Sequence, residues 1–497
     1  MSLTVSPPPI TSESPRPALS LCLIAKNEEA MLPACLASVR DVVDEMIVVD
    51  TGSTDKTKMI AQQMGATVLD FKWIDDFAAA RNFALDAARG QWILLLDADE
   101  RLSEGSKKAI RAAIERTDLD CGLLPLHSAD TVTANPKDVL NGKRRLGEPT
   151  LLPRLFRRTP DLRWEGLIHE APSKWLARPG LRATTLEAPI IHLGDVPSIR
   201  TSLNKLDRNL SLLLKRREKQ PADVATRVYI AEELYRKNNM LESRAEVERV
   251  WPMISSHWKN FQTGSPTLDE VHLRTFTEKA ASLRMLLQVQ SGDYTEGLAT
   301  ALACCNWRVD NPTLTYLEGV CNEQLAMFNE PQRKRHLENA RQAYIACLQR
   351  KNQLRAVPAM EGMTSWRATL RLGTVLLQQG QPRMAIRQFQ RTLKHRPNHV
   401  DAVLGFIESL VDEKQSKDAL ELLKPLLTQD NPDAQLLAAQ AHADLMQFSI
   451  AERHLDIAYR GVRQYLRGPF RLTRLNRLIQ ESKKWARQSS QVNTNPR

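Results

Sequence analysis

The chain has 497 residues, 42% of them apolar and 26% charged, with a net charge of +11; this length exceeds one ordinary core and predicts two or more domains. No run approaches the roughly 18 apolar residues of a membrane-spanning helix, so no transmembrane segment is expected. Seven scattered cysteines without C-x-x-C spacing exclude a disulfide framework and point to reduced thiols in a cytoplasm.

Residues 1–18 are rich in Pro and Ser and lack the basic and apolar regions of a secretory signal, which predicts a disordered lead. From Leu19 strands and helices alternate. "LSLCLIAKNEE" reads as a strand with a polar exit, "MLPACLASVRDVV" as a helix, and "DEMIVVDTGSTDKT" as a strand breaking into a turn. "TKMIAQQMGA" is a helix, "TVLDFKW" a strand, "DFAAARNFALDAARG" an amphipathic helix closed by Gly90, and "QWILLLDADE" a strand over Trp92 to Asp97. Such alternation predicts an α/β domain at 19–200 with a Rossmann-like, mainly parallel sheet and right-handed crossovers. Ligands of open sheets bind outside the carboxyl ends of the strands, which places Lys26 to Glu28, Asp50 to Thr54 and Asp97 to Glu100 on one rim.

Beyond Pro197 long amphipathic helices take over. Leu370 and Leu404, Ala385 and Ala419, and Leu393 and Leu427 are each one period of about 34 residues apart. "LRLGTVLLQQGQPRMAIRQFQRTLKHRPN" resembles the tetratricopeptide unit, with Gly373 and Ala385 where paired helices approach and Pro397 closing the second helix; Pro432 follows one residue out of phase. "EELYRKNNMLESRAEVERVW" and "LLQVQSGDYTEGLATALACC" look like weaker copies. Residues 201–488 are therefore expected to form an all-α tetratricopeptide-like repeat domain, whose stacked units share a core, and 489–497 a disordered tail. The basic excess of this region alternates with Glu along helices, without interleaved aromatics, and reads as solvated helix surface rather than a nucleic-acid site.

Asp97 and Asp99 follow a buried strand. Two carboxylates one residue apart in extended chain project the same way and suit one hard cation, Mg²⁺ or Mn²⁺, able to grip a diphosphate; as turn or cap residues they would need no ligand. "DTGSTDKT" contains neither a dinucleotide fingerprint nor a P-loop. Together, "SLCLIAKNEE", "DEMIVVDTGSTDKT" and "DFAAARNFALDAARGQWILLLDADE" resemble the family 2 inverting glycosyltransferases of the GT-A fold, over about residues 19–200. "EGLIHE", Glu165 to Glu170, followed by "IIH", Ile190 to His192, resembles a subgroup that includes transferases fused to tetratricopeptide repeats.

The resemblance implies a nucleotide-sugar donor, preferably a UDP-sugar, and a divalent metal cofactor. Asp50 would accept from uracil, although Thr51 stands where the family often has a second Asp; Asn27 and Glu28 would line the nucleoside cleft. Asp97 would face ribose and metal, and Asp99 would ligate the metal, with His192 or, less well, His169 as a third position. Arg81 is either a helix-face ion pair or a cation aimed at the diphosphate. The base that deprotonates the acceptor is expected at Glu170, with Asp195 and Glu165 as fallbacks; Gly194 is followed by Asp195 where the subgroup often has an aromatic residue. The basic run from Asn141 to Arg158 is either a solvated loop or a phosphate partner. A protein, peptide, glycan or lipid-linked acceptor, recruited in part by the repeats, completes this reading. The competing one is an interaction scaffold whose transferase domain is degenerate.

Overall fold

The computed structural model describes residues 18–196, 205–264, 270–350, 353–428 and 431–465, with Lys484. The expected tail at 489–497, and all of the expected lead but Ala18, lie outside these residues.

Four parallel strands open the domain: β1 (Leu19–Ala25), β2 (Glu45–Asp50), β3 (Thr67–Asp70) and β4 (Trp92–Leu95), in the order β3-β2-β1-β4. Helices α1 (Leu32–Val39), α2 (Thr57–Gln63) and α3 (Phe77–Ala87) connect them. β1 is covered on both faces, which is why it is an unbroken apolar run. Leu19, Leu21 and Leu23 pack with Leu32 and Leu36 of α1, while Cys22 packs with Ala84 and Leu85 of α3.

Past β4 the sheet becomes mixed. β5 (Glu100–Leu102), α4 (Ser106–Ile114), β6 (Cys121–Ser128), α5 (Pro136–Leu140), β7 (Thr150–Arg157), α6 (Ser173–Leu176), β8 (Ala183–Thr185) and β9 (Ile190–His192) extend it as β4-β7-β6-β9-β5. β7 is antiparallel to β4 and β6, and β9 to β5. The expected GT-A architecture, a mainly parallel sheet flanked by helices, is present. Residues 120–200 read only as mixed short strands, without order or bounds, because half-apolar segments of three to eight residues carry little period of their own.

Two local expectations change. β4 stops at Leu95, so Asp97 lies in a turn whose closing bond runs from the Glu100 N–H to the Asp97 carbonyl at 3.0 Å. Helix α3 ends at Ala87 with an extended Ala88, so Gly90 does not close it. A Cβ on Gly90 would lie 2.5 Å from Ser20 Oγ, so close passage against β1 demands the glycine.

After residue 204 every described element is helical, beginning with α7 (Lys205–Lys219), α8 (Val224–Arg236), α9 (Met240–Gln262) and α10 (Glu270–Ser291). Secondary structure thus changes character near residue 200, but compactness divides the chain elsewhere. One unit runs to Leu283 and includes Asn352–Glu361; the other holds Arg284–Lys351 and the residues from Gly362. α7 to α9 therefore belong with the sheet.

The second unit contains the repeating hairpins Trp366–Gln378 with Pro382–His395, Val400–Asp412 with Ser416–Leu427, and Pro432–Asp444 with Phe448–Tyr465. Pro397 follows its helix, but Pro432 opens the next one, which accounts for its shifted phase. Phe389 is fully buried against Gly373 and Gly405, where an added Cβ would come within 2.8 and 2.4 Å of its ring. Phe389→Ala is expected to destabilise this unit by about 3–5 kcal/mol, seen as a lower thermal midpoint.

Candidate active site

The exits of β1, β2 and β4 meet around a cavity of about 360 Å³, whose wall includes Lys26, Glu28, Thr51, Asp97, Asp99 and Glu170. Asn27 turns the chain at the end of β1 with a left-handed φ of 56°, a conformation that Asn tolerates better than most side chains. Its Oδ1 accepts from the Thr54 N–H at 2.8 Å, and its own N–H donates to Ser53 Oγ at 2.9 Å, tying the exits of β1 and β2 together. The Glu28 N–H donates to Thr57 Oγ1 at 2.8 Å. Asp50 is 2% exposed. Its Oδ2 caps the turn by accepting from the N–H groups of Gly52 and Ser53, while Oδ1 is buried without a hydrogen-bond partner. One oxygen therefore builds the turn, while the other is an unsatisfied acceptor behind the cavity wall, which Thr51 lines and Asp50 does not.

Asp97 and Asp99 diverge, because they occupy a turn rather than extended chain. Asp97 accepts from Arg81 Nη2 at 2.7 Å and lies 3.4 Å from Arg154 Nη2. Against the desolvation of the site, these two guanidinium groups hold its carboxyl well below the usual carboxylate range. Arg81 also donates from Nε to Glu170 Oε1 at 2.7 Å, so a cation on α3 joins the turn to the EGLIHE segment. Its third nitrogen, Nη1, is buried without a partner. Arg154 is engaged by Glu100, whose Oε2 accepts the Asp97 N–H at 3.0 Å. Burial raises the Glu100 carboxyl to about 7 despite the arginine.

Asp99 faces β9 instead. Its Oδ1 is 3.6 Å from His192 Nδ1, a buried nitrogen without a hydrogen-bond partner, and β5–β9 pairing sets His192 opposite Glu100. A Cβ on Gly194 would lie 2.2 Å from Asp99 Oδ2 and 3.0 Å from His192 Nε2. Glycine thus lets both side chains pack against the backbone. Asp99 Oδ1 and the unpartnered His192 Nδ1, 3.6 Å apart, have the chemistry of a donor pair for Mn²⁺ or Mg²⁺. Among the described residues no three His, Cys, Asp or Glu side chains are grouped to hold a metal; with Asp97 drawn to the arginines, only Asp99 and His192 fit one.

Glu170 is on the cavity wall with its side chain 11% exposed. Asp195 lies outside that wall; its Oδ2 accepts from Ser128 Oγ at 2.9 Å and lies 3.8 Å from His192 Nε2. Glu165 pairs with Lys174 at 2.6 Å. His169, at φ 51°, also lines the cavity and stacks on Tyr229 of α8 with ring centroids 3.9 Å apart.

Most of the basic run has structural partners, which argues against a phosphate role. Lys143, Arg144 and Arg145 pair with Asp138, Asp130 and Glu148. Arg157 stacks on Trp92 and donates to the Leu119 carbonyl. Sequence reasoning missed Glu100 and Arg154 as members of the charged network. The signals were a third carboxylate in "LLLDADE" and a lone Arg between apolar residues in "LLPRLF", a pattern that places a charge inside a sheet only when it is paired.

Residues 20–178 match the family model described as glycosyl transferase family 2, and residues 376–443 match that of the tetratricopeptide repeat. A TPR repeat-containing protein of Synechococcus elongatus is 40% identical over 184 residues, covering 35% of this chain and 42% of that protein. The SPbeta prophage-derived glycosyltransferase SunS of Bacillus subtilis is 28% identical over 226 residues, covering 45% of this chain and 50% of SunS. Among solved structures, S. aureus TarS 1–349 in complex with UDP-GlcNAc aligns at 17% identity with a TM-score of 0.32, covering 55% of this chain and 86% of that one. The chain spans half or less of the length of these two curated relatives. It carries a glycosyl transferase family 2 domain at its N-terminal end and a tetratricopeptide repeat further along.

Proposed function

We propose that the protein is a cytoplasmic, metal-dependent inverting glycosyltransferase that moves a sugar from a UDP-sugar to a protein, glycan or lipid-linked acceptor recruited in part by the helical repeats. The observation that carries this reading is the convergence of three strand exits, with Thr51, Asp97 and Asp99, around one cavity, next to the buried Asp50. The unsatisfied Oδ1 of Asp50 suits a ring N–H such as that of uracil. Asp99 and His192 would hold the divalent cation, whose charge, when bound, offsets that of the departing diphosphate. Arg81 keeps an unpartnered Nη1 for the same oxygens. Glu170, on the wall, takes the acceptor proton.

A ligand that binds only the folded chain raises its thermal midpoint. UDP with Mn²⁺ is expected to raise the midpoint of the full chain by several degrees, whereas NAD and ATP leave it in place. Stabilisation by NAD or ATP, or by none of the three, rejects the donor assignment.

A further inference from the structure

The cavity reaches beyond the family 2 segment. Arg208 and Asn209, in the first turns of α7, lie on its wall, 30 residues past the end of the matched region at 178. The position of α7 is fixed by packing. Leu212 and Leu213 join Ile168 and the α8 residues Ile230 and Leu234 in one apolar cluster. Arg216 Nη1 donates to the Ile168 carbonyl at 3.2 Å, and Lys215 pairs with Asp75 at 2.5 Å. Arg208 is thus held at the cavity by a helix clamped next to the loop that carries Glu170.

Three Lys or Arg side chains line the cavity: Lys26, Arg81 and Arg208. Arg81 is balanced by Asp97 and Glu170. Arg208 rests over the Phe77 ring at 5.3 Å and donates to Asn209 Oδ1 at 3.2 Å. Among the described residues, no carboxylate lies within ion-pair distance of Arg208 or Lys26. Both side chains are exposed. Two cations outside any ion pair on the wall of a cavity, with the Glu28 carboxylate acting on Arg208 only through its field, can still recognise an anion, and a guanidinium lying on an aromatic ring keeps its N–H edge available for a phosphoryl group.

We infer that Arg208, assisted by Lys26, forms a phosphoryl-binding site completed by a helix outside the transferase segment. The inference rests on the cavity being the donor site. The phosphoryl group belongs either to the donor diphosphate or to a phosphorylated acceptor. Arg208 is a positioning residue, since neither source requires it to exchange a proton or a bond.

The test is titration calorimetry on the full chain, comparing wild type with Arg208→Gln and Arg208→Lys. UDP with Mn²⁺, uridine, and inorganic phosphate added to UDP-saturated protein are the probes. Losing one charge-assisted contact is expected to weaken phosphoryl binding about tenfold or more in Arg208→Gln. Arg208→Lys recovers part of that loss because the charge is kept. Weaker UDP binding with unchanged uridine binding assigns the donor diphosphate; weaker phosphate binding to the UDP-saturated protein assigns an acceptor phosphate. Unchanged affinity for UDP and for phosphate overturns the inference, as does an equal loss for uridine, which marks a packing role. A wild-type chain that binds no UDP overturns the donor reading instead, and the phosphate titration, run without UDP, then decides Arg208 by itself.

Discussion

Asp99→Asn is expected to lower UDP-sugar turnover by at least about 100-fold, because a cation that stabilises a leaving diphosphate contributes several kcal/mol and each 1.4 kcal/mol is tenfold in rate. The substitution keeps the shape of the side chain and removes its charge. The Asp99 backbone carbonyl accepts the Leu193 N–H at 3.0 Å, a bond that the substitution leaves in place. The unliganded chain should therefore melt near the wild-type midpoint. The additional stabilisation that Mn²⁺ confers on the UDP complex should disappear. Asp97→Asn offers a contrast: Asp97 is bonded to Arg81 and approached by Arg154, so its loss disturbs the charged network as well as the ligand. If Asp99→Asn keeps a Mn²⁺-dependent turnover within a few-fold of wild type, the cation is held elsewhere.

The distinction between these two aspartates marks what the sequence could convey. Apolar runs bounded by turn residues placed β1, β2 and β4 in order, and the crossover rule put their exits on one rim; both arguments need only local pattern and chain connectivity. The tetratricopeptide hairpins were legible for the same reason, since Leu370, Ala385 and Leu393 recur at a fixed period. The direction of a side chain in a turn follows no period. Asp97 and Asp99 were expected to act as one claw because they were read as strand; one extra residue of irregular chain after Leu95 sends them to different partners. Those partners are remote in sequence. Arg81 reaches Glu170 across 89 positions, and Arg154 reaches Glu100 across 54. Arg208 lies on the wall only because Leu212 and Leu213 anchor α7 against Ile168. Contacts of this kind are fixed by tertiary packing, and no window of local sequence contains them.

Glu170→Gln should separate chemistry from binding. General-base catalysis contributes about 10²–10⁴-fold, and turnover should fall within that range when a UDP-sugar is hydrolysed with water as acceptor. Gln retains an acceptor oxygen for Arg81 Nε. Arg81 also keeps its 2.7 Å bond to Asp97, so the guanidinium is not left buried without a counter-charge, the situation that makes broken ion pairs costly. Affinity for UDP with Mn²⁺ is accordingly expected to stay within a few-fold of wild type, and the loss to appear in kcat rather than KM. Arg81→Gln would remove the Nη1 donor together with the bonds to Asp97 and Glu170, so it cannot identify the base. Asp195→Asn can. Asp195 stands off the cavity wall and is bonded to Ser128, so its loss is expected to cost less than about tenfold in turnover. The reverse ranking, with Glu170→Gln active and Asp195→Asn inert, would move proton removal to the side of the cavity occupied by His192, and the acceptor would then approach past β9 rather than past the loop that holds Glu170.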